Sequence, residues 1–279
     1  MCGRYAASRN PDDLVEEFEV QEVALDPPGA GQEEPDGVAP DWNVAPMRPH
    51  PVVLERPPRG EPDAEPTRQL RLLTWGLVPS WAKDRSTGNK MINARAESLL
   101  DKPAYRRAAI ARRCLVPADG WFEWQASPVV KDAKGKPRKQ PFFVRPEDGS
   151  VIAFAGVYEL WRDPSRDADD PFAWLATYAI VTTDAEPGLD RIHDRMPLVL
   201  PRDRWDAWLD PSVSEPDDVR SLLLPAPPGR FVAVPVSPLV NNVRNNGPEL
   251  VEPLAVDDLV GVVDPATGEV LGGQGEALF

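Results

Sequence analysis

The sequence predicts an α+β fold with a mainly antiparallel β core, barrel-like or built of packed sheets, and peripheral helices. Three observations carry this. Short apolar runs rich in β-branched and aromatic residues recur along the chain, as half-buried strands require. Loops rich in the chain's 34 prolines punctuate them. Helical periodicity appears in only two places, without the regular alternation of strand and helix that a parallel sheet needs.

Taken in order, Asn10-Pro11-Asp12-Asp13 is a helix start, with Leu14, Val15 and Phe18 on one following face. "LDPPGAGQEEPDG" and "ERPPRGEPDAEPTRQ" read as loops, and "RPHP" between them as a proline-bracketed loop with His50 exposed. "RLLTWGLV", "RCLVPADGWFEW", "PFFVR", "VIAFAGVYELW", "WLATYAIVTT", "MPLVL" and "FVAVPV" read as strands. "SPVVKDAKGKPRKQP" is an exposed basic hairpin or loop, and "RDPSRDADDP" another loop. "RDRWDAWL" places Trp205, Trp208 and Leu209 on one side of a short helix. The end, "VVDPATGEVLGGQGEALF", reads as a hairpin followed by disorder.

The 279 residues suffice for a sizeable core. No apolar run is long enough to span a bilayer, and the first residues are too polar for a secretory signal, so a cytoplasmic protein is expected. The net charge of −14 argues against a generic nucleic-acid coat. It is unevenly spread. Residues 1–40 carry −8 and residues 249–279 carry −7, which leaves 41–248 near neutrality. Inside that middle, residues 83–113 hold nine Lys/Arg against three Asp/Glu, a basic patch or a solvated face.

The chemistry-bearing residues are few. Cys2 follows the initiator methionine, and removal of Met1 would give it a free α-amine beside a thiol. Such an amine attacks an aldehyde to form a Schiff base, and the thiol then closes a five-membered thiazolidine. An α-amine has a pKa near ~8, roughly 2.5 units below lysine, so a useful fraction is nucleophilic at neutral pH. His193, in "IHDRMPLVL", has Asp194 and Arg195 to tune it; a lone histidine is more often structural. Glu123, in "DGWFEW", becomes a general acid–base if it points inward. Strand alternation equally allows it to face solvent, which is the simpler reading of the residues alone. Asn93 and Arg95 share a face of an extended "NAR" and suit a phosphate. Asn43 sits in a turn ahead of Pro46. Trp75 and Trp81 are either stacking platforms for bases or core. No Cys/His set has metal-ligand spacing, and no cofactor is implied.

In order, "MCGRY", "NVAP", "WGLVPSWA", "INARAES", "RRCLVPADGWFEW", "PFF", "AGVYELW", "HDRMPLVL" and "NNVRNNGPEL" resemble the SOS-response-associated peptidase family of abasic-site processing proteins. The likeness implies a catalytic domain over 1–255 with proline-rich insertions, leaving 256–279 as an acidic, partly disordered tail. It implies a DNA-binding channel and a monomeric sensor of abasic sites in single-stranded DNA, nucleoid-associated when bound, that cross-links itself through Cys2. Strand-cleaving lyase activity and removal of Met1 by a peptidase activity go with it. Carried over by position, Cys2, Asn93, Glu123 and His193 are the catalytic residues, and Arg4, Asn43, Trp81 and Arg95 the DNA-contacting ones. Two rivals remain: an N-terminal-nucleophile amidotransferase, which also matures to a Cys-Gly start, and a non-catalytic single-strand binder that uses the tryptophans.

Overall fold

In the computed structural model, residues 2–25, 38–58, 60–61, 63–167, 169–170 and 172–271 are described. The first half contains β1 (Tyr5–Ala7), α1 (Pro11–Glu17), β2 (Glu22–Ala24), β3 (Asp41–Val44), β4 (Pro49–Arg56), β5 (Thr67–Trp75), β6 (Asn93–Arg95), α2 (Pro103–Ala111), β7 (Arg113–Ala118) and β8 (Gly120–Lys131). There follow β9 (Pro137–Pro146), β10 (Ile152–Arg162), β11 (Trp174–Asp184), β12 (Arg195–Pro197), β13 (Val199–Leu200), α3 (Trp205–Leu209), α4 (Pro216–Leu222), β14 (Phe231–Pro235), β15 (Val262–Val263) and β16 (Val270–Leu271). No helix among the described residues is long and apolar enough to cross a membrane.

The strands form two main sheets. One runs β14-β9-β8-β1-β3, antiparallel throughout. The other runs β12-β11-β10-β7-β4-β5-β2. A parallel contact of β5 with β11, Thr74 opposite Thr177 and Trp75 opposite Tyr178, closes five of its strands into a barrel. The expected α+β class with an antiparallel, barrel-like core is therefore what the chain adopts.

Period-2 alternation sorts the side chains. Val52, Leu54, Cys114, Val116, Phe154 and Ile180 enter one cluster, which they share with Tyr5, Trp121, Phe142 and Val144 of the smaller sheet. Val53, Leu115, Ala153, Ala155, Ala179 and Val181 point the other way, into a cluster covered by the helices. There Leu14, Phe18, Trp205, Trp208 and Leu209 are buried, as their spacing predicts, and the Phe18 and Trp205 rings stack at 4.5 Å.

Several expectations change. The run "RCLVPADGWFEW" is two strands in two sheets. The chain turns at Asp119, and a Cβ at Gly120 would lie 2.4 Å from the Val144 carbonyl oxygen. His50 lies not in an exposed loop but in β4, 3% exposed, with its ring 5.7 Å from that of Tyr5. Asn43 lies in β3 rather than in a turn. The basic stretch contributes α2, whose Pro103 start and buried Tyr105, Ala108 and Ala109 make a helical face that the charge pattern hides. The carboxy-terminal hairpin forms as β15 and β16 and packs on β8, with Leu259 and Val262 each 2% exposed in the main cluster. The loop expected in "LDPPGAGQEEPDG" falls mostly, and the disordered end wholly, outside the described residues.

Between β5 and β6 the chain leaves β11 and returns to the same edge. Gly76 N donates to Tyr178 O at 2.8 Å, and Ile180 N to Ile92 O at 3.0 Å. At the crossing, a Cβ on Gly88 would stand 2.5 Å from the Gly76 carbonyl oxygen. Gly88 needs no left-handed backbone, so its requirement is purely one of space. Gly88→Ala is therefore expected to lower the unfolding free energy by about 1–3 kcal/mol, read from urea denaturation; an unchanged midpoint would mean that the crossing has slack.

Candidate active site

Cys2 leads into β1 and is fully buried, its Sγ 3.7 Å from the Arg4 carbonyl oxygen. Burial, helped by the nearby negative charge of Glu123, pushes its thiol well above the ordinary range, so it holds its proton. Asn93 opens β6, whose parallel register sets Asn93 opposite Ile180. Its Nδ2 donates to the Cys2 carbonyl at 2.6 Å, and its own carbonyl accepts from the Tyr105 hydroxyl at 3.1 Å. The Asn93 Oδ1 is buried with no hydrogen-bond partner among the described residues. A buried acceptor of that kind calls for a donor.

Glu123 points inward, contrary to the simpler reading of its strand. β8 alternates Trp121, Glu123 and Gln125 toward the interior, and Glu123 is 4% exposed. Burial pushes its carboxyl up to about 7, where it can both give and take a proton. His193 follows the 3₁₀ turn Leu189–Arg191, with its side chain partly exposed. Burial lowers its pKa, so the neutral ring prevails at pH 7. Its Nδ1 accepts from the Arg195 backbone N–H at 3.0 Å, which puts the proton of the neutral ring on Nε2. Asp194 Oδ1 stands 2.8 Å from Nδ1, a partner for the ring once it is protonated. The charges of Asp194 and Lys139 bear on both Glu123 and His193.

Two arrangements that sequence reasoning missed hold these segments. Arg195 Nη1 and Nη2 grip the two Glu97 oxygens at 2.8 and 3.0 Å, and Nη2 donates to Thr182 O at 2.7 Å. Glu97 lies four residues beyond Asn93 and Arg195 two beyond His193, so one ion pair ties both segments together. Gln125 is the second, through backbone contacts to residues 191 and 263. Neither is legible from spacing, because their partners lie far away in sequence.

The expected DNA-contacting residues divide. Arg4 Nη1 donates to Asn43 Oδ1 at 2.7 Å and to Val240 O at 2.8 Å. Asn43 is 2% exposed, and its Nδ2 donates to the carbonyls of Val240, Asn242 and Asn245. That amide is consumed in clasping loop 240–245 and presents nothing to solvent. Arg95 is exposed and in no salt bridge among the described residues. Trp81 is 68% exposed on the β5–β6 loop, free to stack, whereas Trp75 is core, its Nε1 donating to Ile92 O at 2.8 Å just ahead of Asn93. Of the basic stretch, Arg112 and Arg113 are structural: Arg112 pairs with Glu159 at 2.7 Å, and Arg113 spends its guanidinium on four carbonyls, among them Trp208 O and Asp210 O, both at 2.6 Å. Lys83, Arg85, Lys90, Lys102, Arg106 and Arg107 are exposed like Arg95.

Comparison with known proteins adds to this geometry. The SOS response associated peptidase (SRAP) family profile matches residues 1–243. The chain is similar to the abasic site processing protein YoqW of Bacillus subtilis, 36% identical over 253 residues that take in 90% of this chain and 99% of the relative. It is also similar to the rat abasic site processing protein HMCES, 30% identical over 287 residues, 91% of this chain and 76% of the relative. Among solved structures, a Bacteroides thetaiotaomicron protein superposes with a TM-score of 0.68 at 23% identity, over 91% of this chain and all of that one, a likeness of fold. A phage-related protein of Bordetella bronchiseptica gives a TM-score of 0.57 at 28% identity, over 84% of this chain and 94% of that one.

The raised Glu123 pKa has a stability consequence. As pH rises, the unfolded chain releases this proton near the ordinary 4.5 and the folded chain only near 7. The folded state thus binds more protons between these values, and the Glu123 contribution to stability falls with rising pH across that window. Glu123→Gln should be more stable than the parent above pH 7, by up to about 3 kcal/mol, with the advantage shrinking toward pH 4.5. Urea unfolding of both proteins at pH 5 and pH 8 checks this; a pH-independent difference would refute a buried, raised carboxyl.

Proposed function

Because the chain belongs to the SOS response associated peptidase family, we propose that it processes abasic sites in single-stranded DNA by linking itself covalently to the ring-opened sugar through Cys2. The observation that carries the reading is the meeting of three groups: Cys2 held through its carbonyl by Asn93, and the Glu123 carboxyl, raised to about 7, close enough to bear on the Cys2 thiol. The curated relatives are named for abasic-site processing, which agrees with it.

The chemistry proceeds from residues in hand. Removal of Met1, a self-processing step in this reading, leaves the Cys2 nitrogen as a free α-amine. The closed sugar opens to its aldehyde by proton transfer, for which the neutral His193 ring is suited. The amine adds to the aldehyde carbon to give a carbinolamine. Glu123 as an acid protonates the departing hydroxyl, water leaves and the imine forms, a type of assistance worth ~10²–10⁴-fold. The Cys2 sulfur then adds to the imine carbon. Its proton passes through the Glu123 carboxylate to the former imine nitrogen, and the ring is a thiazolidine. From the imine, abstraction of the proton α to it expels the 3′-phosphate, which is the lyase branch.

Arg4 and Arg95 supply charge for flanking phosphates, Trp81 a platform for an unstacked base, and Asn43 acts one step back, by fixing Arg4 and loop 240–245. The working unit is taken to be a monomer in the cytoplasm, at the nucleoid when bound.

The deciding experiment incubates the mature protein with single-stranded DNA carrying one abasic site, followed by a denaturing gel. A heat-stable adduct is expected, and none when any residue precedes Cys2, since the amine is then a peptide nitrogen. Cys2→Ser should still give a Schiff base trapped by borohydride, with more strand cleavage and no lasting adduct. An equally stable Ser adduct would exclude thiol closure. Glu123→Gln should slow single-turnover cross-linking about 10-fold or more with affinity for an unreactive abasic analogue nearly intact. Glutaminase activity without an adduct would favour an amidotransferase instead.

A further inference from the structure

The family profile matches residues 1–243, and the carboxy-terminal segment that follows packs back onto the elements around Cys2. Leu259 and Val262 are buried in the same cluster as Cys2, Leu189 and Ile192. From there the β15–β16 hairpin reaches two places, each two residues from a proposed acid–base group.

The first is Gln125 on β8, two residues from Glu123 and on the same inward face. It is 2% exposed. Its Nε2 donates to Val263 O at 2.9 Å, its Oε1 accepts from Val263 N at 2.8 Å, and Nε2 also donates to Arg191 O at 3.2 Å. Ser127 on the same face donates its Oγ proton to Gly261 O at 2.7 Å. The second place is the 3₁₀ turn ahead of His193. Arg191 Nη1 donates to Pro265 O at 2.5 Å. A Cβ on Gly188 would lie 3.2 Å from that same oxygen, and one on Gly268 3.4 Å from Arg191 Nε. The hairpin thus lies against the turn at both of its ends.

A three-residue 3₁₀ turn has poor internal hydrogen bonding and holds its shape through neighbours. An acid–base pair needs its members fixed to about half an ångström. We propose that Gln125 is a positioning residue which, through the β15–β16 hairpin and the Arg191 carbonyl, sets His193 relative to Glu123, so that the carboxy-terminal segment is part of the working site. The catalytic meaning rests on the function proposed above; the positioning itself does not.

The test separates the two. The chain has only two histidines, so the ring proton signals of His193 and His50 are readily told apart by NMR titration: His193 titrates, while burial pushes His50 down to about 3. Gln125→Met keeps shape and removes every hydrogen bond of the amide. It is expected to shift the His193 signals and move its pKa back up toward the ordinary value, with His50 unchanged. It should also slow single-turnover cross-linking roughly 10-fold or more, while affinity for the unreactive abasic analogue stays within about twofold. Arg191→Ala, which removes the side-chain contacts to Pro265 and Gly268 but keeps the carbonyl that Gln125 bonds, should move both readouts the same way by less, and covers the case in which Gln125→Met does not fold. Unchanged His193 signals and pKa in the folded variants would overturn the proposal. If the parent protein forms no adduct at all, the functional reading falls, and the His193 titration still judges the positioning.

Discussion

One edge of β11 accepts two parallel partners in succession, β5 at residues 177–178 and β6 at 180–182. Most of the molecule depends on that constraint. The first pairing closes the barrel; the second delivers Asn93 to the Cys2 carbonyl. Because both partners use one edge, the connection between them must leave and return within a few ångströms. That is why Gly76 and Gly88 pass with no room for a Cβ. The same excursion carries Trp81 outward and buries Trp75 as the anchor of Ile92. Two similar tryptophans six residues apart thus have opposite surroundings.

Within this frame, burial does electrostatic work in two directions. It raises the Glu123 carboxyl to about 7, where it exchanges a proton near neutral pH, and lowers the His193 imidazole, which keeps that ring neutral. It also keeps the Cys2 thiol protonated. The arginines follow a different logic. Arg113 and Arg195 are spent on carbonyls and carboxylates that join distant segments. Between residues 83 and 113 only Arg112 and Arg113 are spent in this way, and the other seven basic side chains, Arg95 among them, are exposed.

Legibility in the sequence followed the range of the interactions. Seven apolar runs became strands and both helical stretches became helices, because alternation and helical period are local consequences of burial on one side. β4 escaped notice because Pro49 and Pro51 read as breakers, although the strand accommodates both while pairing with β5 at every position. α2 was hidden by its own arginines. The prolines around His50 predict exposure, and its strand buries it.

The sequence by itself determined the mainly β class, the amphipathic elements and an ordered set of motifs that marks a family. Those are properties of residue type, spacing and order. Only the tertiary structure decided which way Glu123 faces, that Asn93 donates to the Cys2 carbonyl, that Asn43 is spent on a loop some two hundred residues away, and that the β15–β16 hairpin bonds to Gln125 and Arg191. Each of these depends on a hydrogen bond or a close contact between segments far apart in the chain. The direction of a strand side chain, in or out, is a choice that alternation leaves open and only the packing of one sheet on another resolves.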